Sequence, residues 1–146
     1  MSRTVVAASI SLCVLLSACG GKPQLASVDG ELAPCQAARC VSSLSRDPDY
    51  RIEPIAYEGS RESARLALLR IITAMPGTRI ALQTEDYIHV EFTSPVMRYR
   101  DDLELQFPRR DPVVHVRSSS RAGYYDFDNN RERVEQIRAE FNAVQP

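Results

Sequence analysis

No apolar run in this chain is long enough to cross a bilayer. The one extended stretch, Val5 to Leu16, is about 12 residues against the roughly 20 a spanning helix needs. Lysine is nearly missing. Of 18 basic side chains only Lys22 is lysine, so positive charge rests on arginine, whose planar fork suits fixed bidentate pairing with carboxylates. Net charge is close to zero, formally −1, which leaves no basic footprint for nucleic acid. Ser118-Ser119-Ser120 has no Gly-x-Ser-x-Gly elbow around it and no histidine after it, so the Ser-Asp-His order of a hydrolase fails. There is no Cys-x-x-Cys redox pair. The EF-hand spacing with its central glycine is absent around Asp126 and Asp128. No internal repeat is visible.

What is present begins with an address. Arg3 precedes the apolar stretch, and small residues follow it, the plan of a secretory signal peptide. Leu16-Ser17-Ala18-Cys19 resembles the bacterial lipobox, which implies removal of residues 1–18 and acylation of Cys19. Each buried CH2 of the acyl chains contributes about 0.8 kcal/mol, so several chains anchor the protein without a spanning helix. By resemblance to Gram-negative lipoproteins, Gly20 rather than aspartate after the cysteine directs the expectation to the outer membrane, with the domain facing the periplasm.

Residues 19–34 are small, polar or broken by proline and read as a flexible tether. Residues 35–146 read as a single domain. Cys13 leaves with the signal and Cys19 is lipidated, so Cys35 and Cys40 remain as a disulfide pair in an exported protein, closing a short loop for about 2 kcal/mol. Cys35 to Asp49 reads as an ordered, disulfide-pinned loop with a turn at Asp47-Pro48-Asp49.

Alternation and helical spacing then order the elements. Arg51 to Glu58 reads as an edge strand. Ser60 caps a helix running to about Ala74, with Ala64, Leu68, Ile71, Ile72 and Met75 as its stripe. Arg79 to Gln83 and Tyr87 to Thr93 form a hairpin, with Ile80 and Leu82 on one face of the first arm. Val96 to Phe107 presents Met97, Tyr99, Leu103, Leu105 and Phe107, with a bend or bulge at Asp101-Asp102. Val113 to Ser119 is the last strand. A helix from about Asn129 to Asn142 turns Val134, Ile137 and Phe141 inward. The expected fold is α+β, a two-layer sandwich of a mostly antiparallel sheet of about five strands with two helices on one face.

Between Arg98 and Arg138 stand nine arginines and eight carboxylates. Asp101, Asp102, Glu104, Arg117, Ser118, Ser120, Arg121, Asp126, Asn130 and Arg131 form either a structural ion network locking the last loop onto the sheet or a site for an anionic ligand. One of Asp126, Asp128 and Asn129 is expected to cap the last helix. Tyr87, Tyr99, Tyr124 and Tyr125 read as packing or rim residues. His89 and His115 lie on the faces opposite Val90 and Val116. If their strands pair, the two imidazoles and Glu91 approach a two-His, one-carboxylate arrangement.

Cys40-Val41-Ser42-Ser43, Glu53-Pro54-Ile55, Asp101-Asp102-Leu103-Glu104 and the run Val116 to Arg131, in that order, resemble the bacterial and plastid family known as domain of unknown function 1499. The resemblance spans about residues 34–140. It implies an envelope or lumenal location and an α+β domain, with motif positions at Cys35, Cys40, Asp101, Asp102, Glu104, Arg117, Ser118, Ser120, Arg121, Gly123, Asp126, Asn130 and Arg131. It brings no catalytic residues and no cofactor.

The expected function is a non-enzymatic binding or interaction module of the envelope, anchored through Cys19. Its partners are the membrane, through the lipid, and a small molecule, lipid or envelope protein; nucleic acid is not among them. The alternative is a hydrolytic enzyme, metal-dependent or otherwise, using His89, His115 and nearby carboxylates. A purely structural spacer is the third reading. The anchor is directly testable. Cys19→Ser is expected to move the protein from the membrane pellet to the soluble fraction, and globomycin to accumulate the uncut precursor on a gel.

Overall fold

Helix α1, Arg61–Ala74, starts where the sequence signals it. The Ser60 hydroxyl accepts the Ser63 backbone N–H, and the Met75 N–H returns to the Ile72 carbonyl at the other end. Its stripe of Ala64, Leu68, Ile71 and Ile72 is buried. The computed structural model describes residue 25 and residues 31–145. The signal segment, Cys19 and most of the tether therefore lie outside the described residues.

Six strands and a second helix, α2 (Asn129–Val144), complete the α+β domain. The strands are β1 (Cys40–Ser42), β2 (Ile55–Ala56), β3 (Thr78–Gln83), β4 (Tyr87–Thr93), β5 (Arg100–Gln106) and β6 (Val113–Ser120). Every pairing between strands is antiparallel, in the order β1-β6-β5-β4-β3, with β2 also on β6. β1 and β2 thus share one edge of β6, taking Arg117–Ser119 and Val113–Val114 respectively.

Ser43 fills the gap between them. Its backbone N–H donates to the Val116 carbonyl, and its hydroxyl accepts the Val116 N–H, each at 2.9 Å. A side chain here completes a ladder that neither short strand reaches. The same hydroxyl meets His115 Nδ1 at 3.2 Å.

One face of the sheet carries Ile88, Val90 and Phe92, Leu103 and Leu105, and Val114 and Val116. Against it pack the α1 stripe and Val134, Ile137 and Phe141 of α2. Both helices cover this face, because the alternation of the strands leaves only one continuous apolar surface.

Several local expectations change. Cys40–Ser42 is a strand, not loop, and a 3-10 turn follows at Pro48–Tyr50. Three residues are too few to show alternation, so only the partner strand reveals β1. A register shift between Ile80 and Leu82 puts the two side chains on different faces, leaving Leu82 half exposed. Val96 to Tyr99 is a turn rather than strand, and Met97 and Tyr99 are exposed. Asp101 and Asp102 make no bend; both pair in continuous register with β4 and β6.

At the α1–β3 junction Gly77 has φ +76° and its carbonyl accepts the Thr93 N–H at 2.9 Å. A Cβ there would collide with the Thr93 carbonyl oxygen, a backbone atom that cannot swing away. Gly77→Ala therefore combines a forbidden φ with a clash and is expected to cost at least about 2 kcal/mol in urea unfolding.

Candidate functional site

Strand parity divides the predicted polar network in two. On β5, Asp101 points to the helix side with Leu103, while Asp102 and Glu104 point to the other face. On β6, Ser118 and Ser120 share the helix side and Arg117 shares the far face. The ten residues therefore make two separate clusters and one tether.

The far-face cluster is built across four strands. Glu104 stands opposite Arg117 and His89, and Asp102 opposite Glu91. Arg117 Nη1 donates to Glu104 Oε2 at 2.7 Å, with both side chains almost wholly buried (2% and 0% exposed). Tyr87 donates its hydroxyl to the other oxygen, Oε1, at 2.6 Å. Two residues along β5, Arg121 reaches both oxygens of Asp102 at 2.7 and 2.8 Å, and Glu91 at 2.5 Å. His89 Nε2 lies 2.7 Å from the same Asp102, and Arg79 closes on Glu91 from outside.

Burial pushes the Asp102 carboxyl up, but hydrogen bonds from Arg121 and His89 outweigh it and hold the group below its ordinary value. Glu91 is likewise raised by burial and brought below its ordinary value by Arg121 and Arg79. Arg121 is raised in turn, chiefly by its bond to Asp102. The carboxylates stay ionised because the arginines stand beside them.

The helix-side cluster centres on Asn130, buried in the first turn of α2. Its carbonyl oxygen accepts the Ser118 hydroxyl at 2.6 Å, and its amide donates to Ser120, Asp126 and the Arg39 carbonyl. Arg133 adds bonds to Ser118, Asn130 and Asp101 and lies 4.5 Å above the Phe92 ring. Together these seat α2 on the end of the sheet. Asp128 is the N-cap residue by position, but its φ of +63° turns its side chain out of capping range; Asp126 instead accepts the Asn130 N–H at 2.9 Å. Arg131 is the tether: it donates to the carbonyls of Arg51 and Asp49 and holds the segment before β2.

A third feature lies where two loops meet. The turn from β4 to β5 presents Val96, Met97 and Tyr99, and the loop from β6 to α2 presents Tyr124, Tyr125 and Phe127, all exposed. The Arg121 N–H donates to the Arg100 carbonyl and ties the loops together. Between them is a cleft of about 350 Å³ whose lining includes Tyr99, Tyr125, Phe127, Asp101 and Arg133. Arg98, Phe127 and Asp128 all have positive φ, a cost of about 1–3 kcal/mol each for side chains of this kind.

The two histidines do not meet. β5 lies between their strands, a separation of roughly 10 Å across the sheet, and His115 turns to Ser43. Burial pushes the His115 imidazole below its ordinary value, with Asp111 opposing. What the fold does gather is His89, Glu91 and Asp102, with one ligating atom of each within 4.8 Å of the others. The guanidinium of Arg121 already bonds both carboxylates of that group. Cys35 and Cys40 form the expected disulfide. Arg39 and Arg133 escaped the sequence reading, which took Tyr87 as packing or rim and Ser43 only as part of a motif. Only the strand register would have revealed Tyr87 beside Glu104, and only the 3-residue spacing from Asn130 hinted at Arg133.

A family model described as "Protein of unknown function (DUF1499)" matches residues 31–141. No curated protein and no solved structure matches the chain.

Arg121→Gln would leave two carboxylates without their cation, which is expected to cost about 3–5 kcal/mol near neutral pH. The folded carboxyls have depressed values, so their stabilisation is complete above the unfolded values of about 4 and lost as pH falls through the folded ones. The gap between wild type and variant in urea melts should therefore close on acidification. A gap independent of pH would contradict the assignment.

Proposed function

This chain belongs to the DUF1499 family of proteins of unknown function, and we propose that it is a lipid-anchored envelope domain that binds a lipid-like amphiphile without turning it over. The anchor reading rests on the lipobox at Cys19 and on the disulfide of Cys35 and Cys40, which suits an exported protein. The outer membrane, with the domain on its periplasmic side, is the location that Gly20 favours.

The observation that carries binding is the cleft between the two loops. Tyr99, Tyr125 and Phe127, from two different loops, line it, and Val96, Met97 and Tyr124 stand exposed on the same two loops. Apolar patches of this kind on a folded domain mark contact sites. Its size lies at the lower end of small-molecule sites. The wall is apolar while Asp101 and Arg133 supply a polar base, the distribution that an acyl chain with a polar head requires. Phe127 is exposed at a position of positive φ, followed by a second at Asp128.

Catalysis finds less support. The far-face carboxylates are bound to arginines and His89 to Asp102, and the serines on the helix side are bound to Asn130 and Arg133.

The test uses full-length Cys19→Ser protein and a lysophospholipid below its micelle concentration, read by native mass spectrometry. A one-to-one adduct is expected, weakened about tenfold in a Tyr99→Ser/Phe127→Ser double variant, corresponding to about 1.4 kcal/mol of lost apolar contact. No adduct, or an adduct equally strong in the double variant, would overturn the reading.

A further inference from the structure

We infer that the disulfide loop and β6 form a second site, separate from the cleft, that takes a small oxyanion such as a carboxylate or phosphate. A cavity of about 160 Å³ is lined by Gln36, Ala37, Arg39, Cys40, Arg117 and Ser119. By volume it holds several waters or one small anion.

Arg117 supplies the first argument. Its side chain is 2% exposed, and Nη1 is committed to Glu104, but Nε is buried with no hydrogen-bond partner. No other buried side-chain polar atom among the described residues is left so. An unmet guanidinium N–H inside a protein costs the desolvation of that donor, about 1–3 kcal/mol or more beside a charge. Arg117 lines the adjoining cavity, and a turn of its guanidinium that brings the sealed Nε to that surface would let an acceptor there recover it.

Arg39 supplies the second. Its guanidinium donates to the carbonyls of Ser120 and Gly123, and no carboxylate among the described residues lies within ion-pair distance of it. No acidic side chain lines the cavity. One arginine is thus neutralised from its far side by Glu104 and the other is not neutralised at all, so the local field favours an anion. Ser119 and Gln36 add a hydroxyl and an amide to the lining. The loop wall is pinned by the Cys35–Cys40 bond, which fixes Gln36, Ala37 and Arg39 against β6. Oxidation of that pair is therefore a condition for the site.

The test is a two-dimensional NMR titration of the full chain carrying Cys19→Ser, disulfide formed, with sodium phosphate, sodium acetate and sodium chloride in separate arms. Saturable shifts are expected at the Arg117 Nε–H and at the amides of residues 36–40 and 117–119, with phosphate or acetate but not chloride. The stronger of the two arms identifies the oxyanion class. Arg117→Lys keeps a cation for Glu104 but removes the Nε donor, and Ser119→Leu fills the cavity. Each is expected to weaken the response at least about tenfold, as is reduction of the disulfide. Absence of saturable shifts, equal shifts with chloride, or an undiminished response in folded Ser119→Leu would overturn the inference. None of these outcomes bears on the lipid cleft, whose variants lie in other loops.

Discussion

An arginine cannot be buried on the far face of β6 unless a carboxylate stands opposite it on β5. Arg117 and Glu104 meet that condition directly across the β5–β6 ladder, and Arg121 meets it one step further along with Asp102 and Glu91. Shifting β5 by one residue would point Asp102 and Glu104 into the apolar layer and strand both arginines. The apolar face alone would tolerate some sliding, since Leu103 and Leu105 are interchangeable in size. The ion pairs would not, because each wrong register buries an unpaired charge. Their contribution is better described as choosing the register than as adding stability.

That choice propagates outward. With β5 and β6 in register, Ser118 and Ser120 fall on the helix side at the spacing Asn130 needs, and α2 is seated by hydrogen bonds as well as by Val134, Ile137 and Phe141. The same register leaves the outer edge of β6 open to β1 and β2, with the Ser43 hydroxyl completing the interval between them. Disulfide, short edge strand and serine occupy one short segment because each solves a problem posed by the same edge.

Helix α1, the β3–β4 hairpin and the apolar half of the core were legible because their signals are local: a cap, a stripe at helical spacing, an alternation across one turn. The motif at Cys40-Val41-Ser42-Ser43 was visible as residues but not as a strand, since a three-residue edge strand exists only by virtue of its partner. Asp101-Asp102 read as an interruption because charge in a strand normally marks solvent. Here Asp102 is buried with Arg121, and Asp101 meets Arg133 at the sheet end. The proximity of His89 and His115 failed for the same reason, since strand order is a long-range property. The acidic residues of the last loop were seen, but positive φ at Asp128 moved capping to Asp126, a backbone choice side-chain pattern does not encode.

Where chemistry could occur follows from how each polar group's hydrogen-bonding capacity is used. In the Glu91–Asp102–Arg121 group, the guanidinium fork is spread over two carboxylates and His89 is held on one of them. A reaction there would first have to break a buried, mutually satisfied arrangement, and such groups lose several kcal/mol when one member leaves. Asn130 is similarly saturated. Two places differ in kind. At the loop tips, apolar surface remains in water, beside positive φ at Arg98, Phe127 and Asp128. Beside the disulfide, a buried donor of Arg117 faces no acceptor. Unmet surface and an unmet donor are free-energy deficits that a bound molecule removes, whereas a saturated network offers a ligand nothing. On the readings proposed above, recognition belongs to the periphery of the domain, and the charged middle of the sheet holds that periphery still.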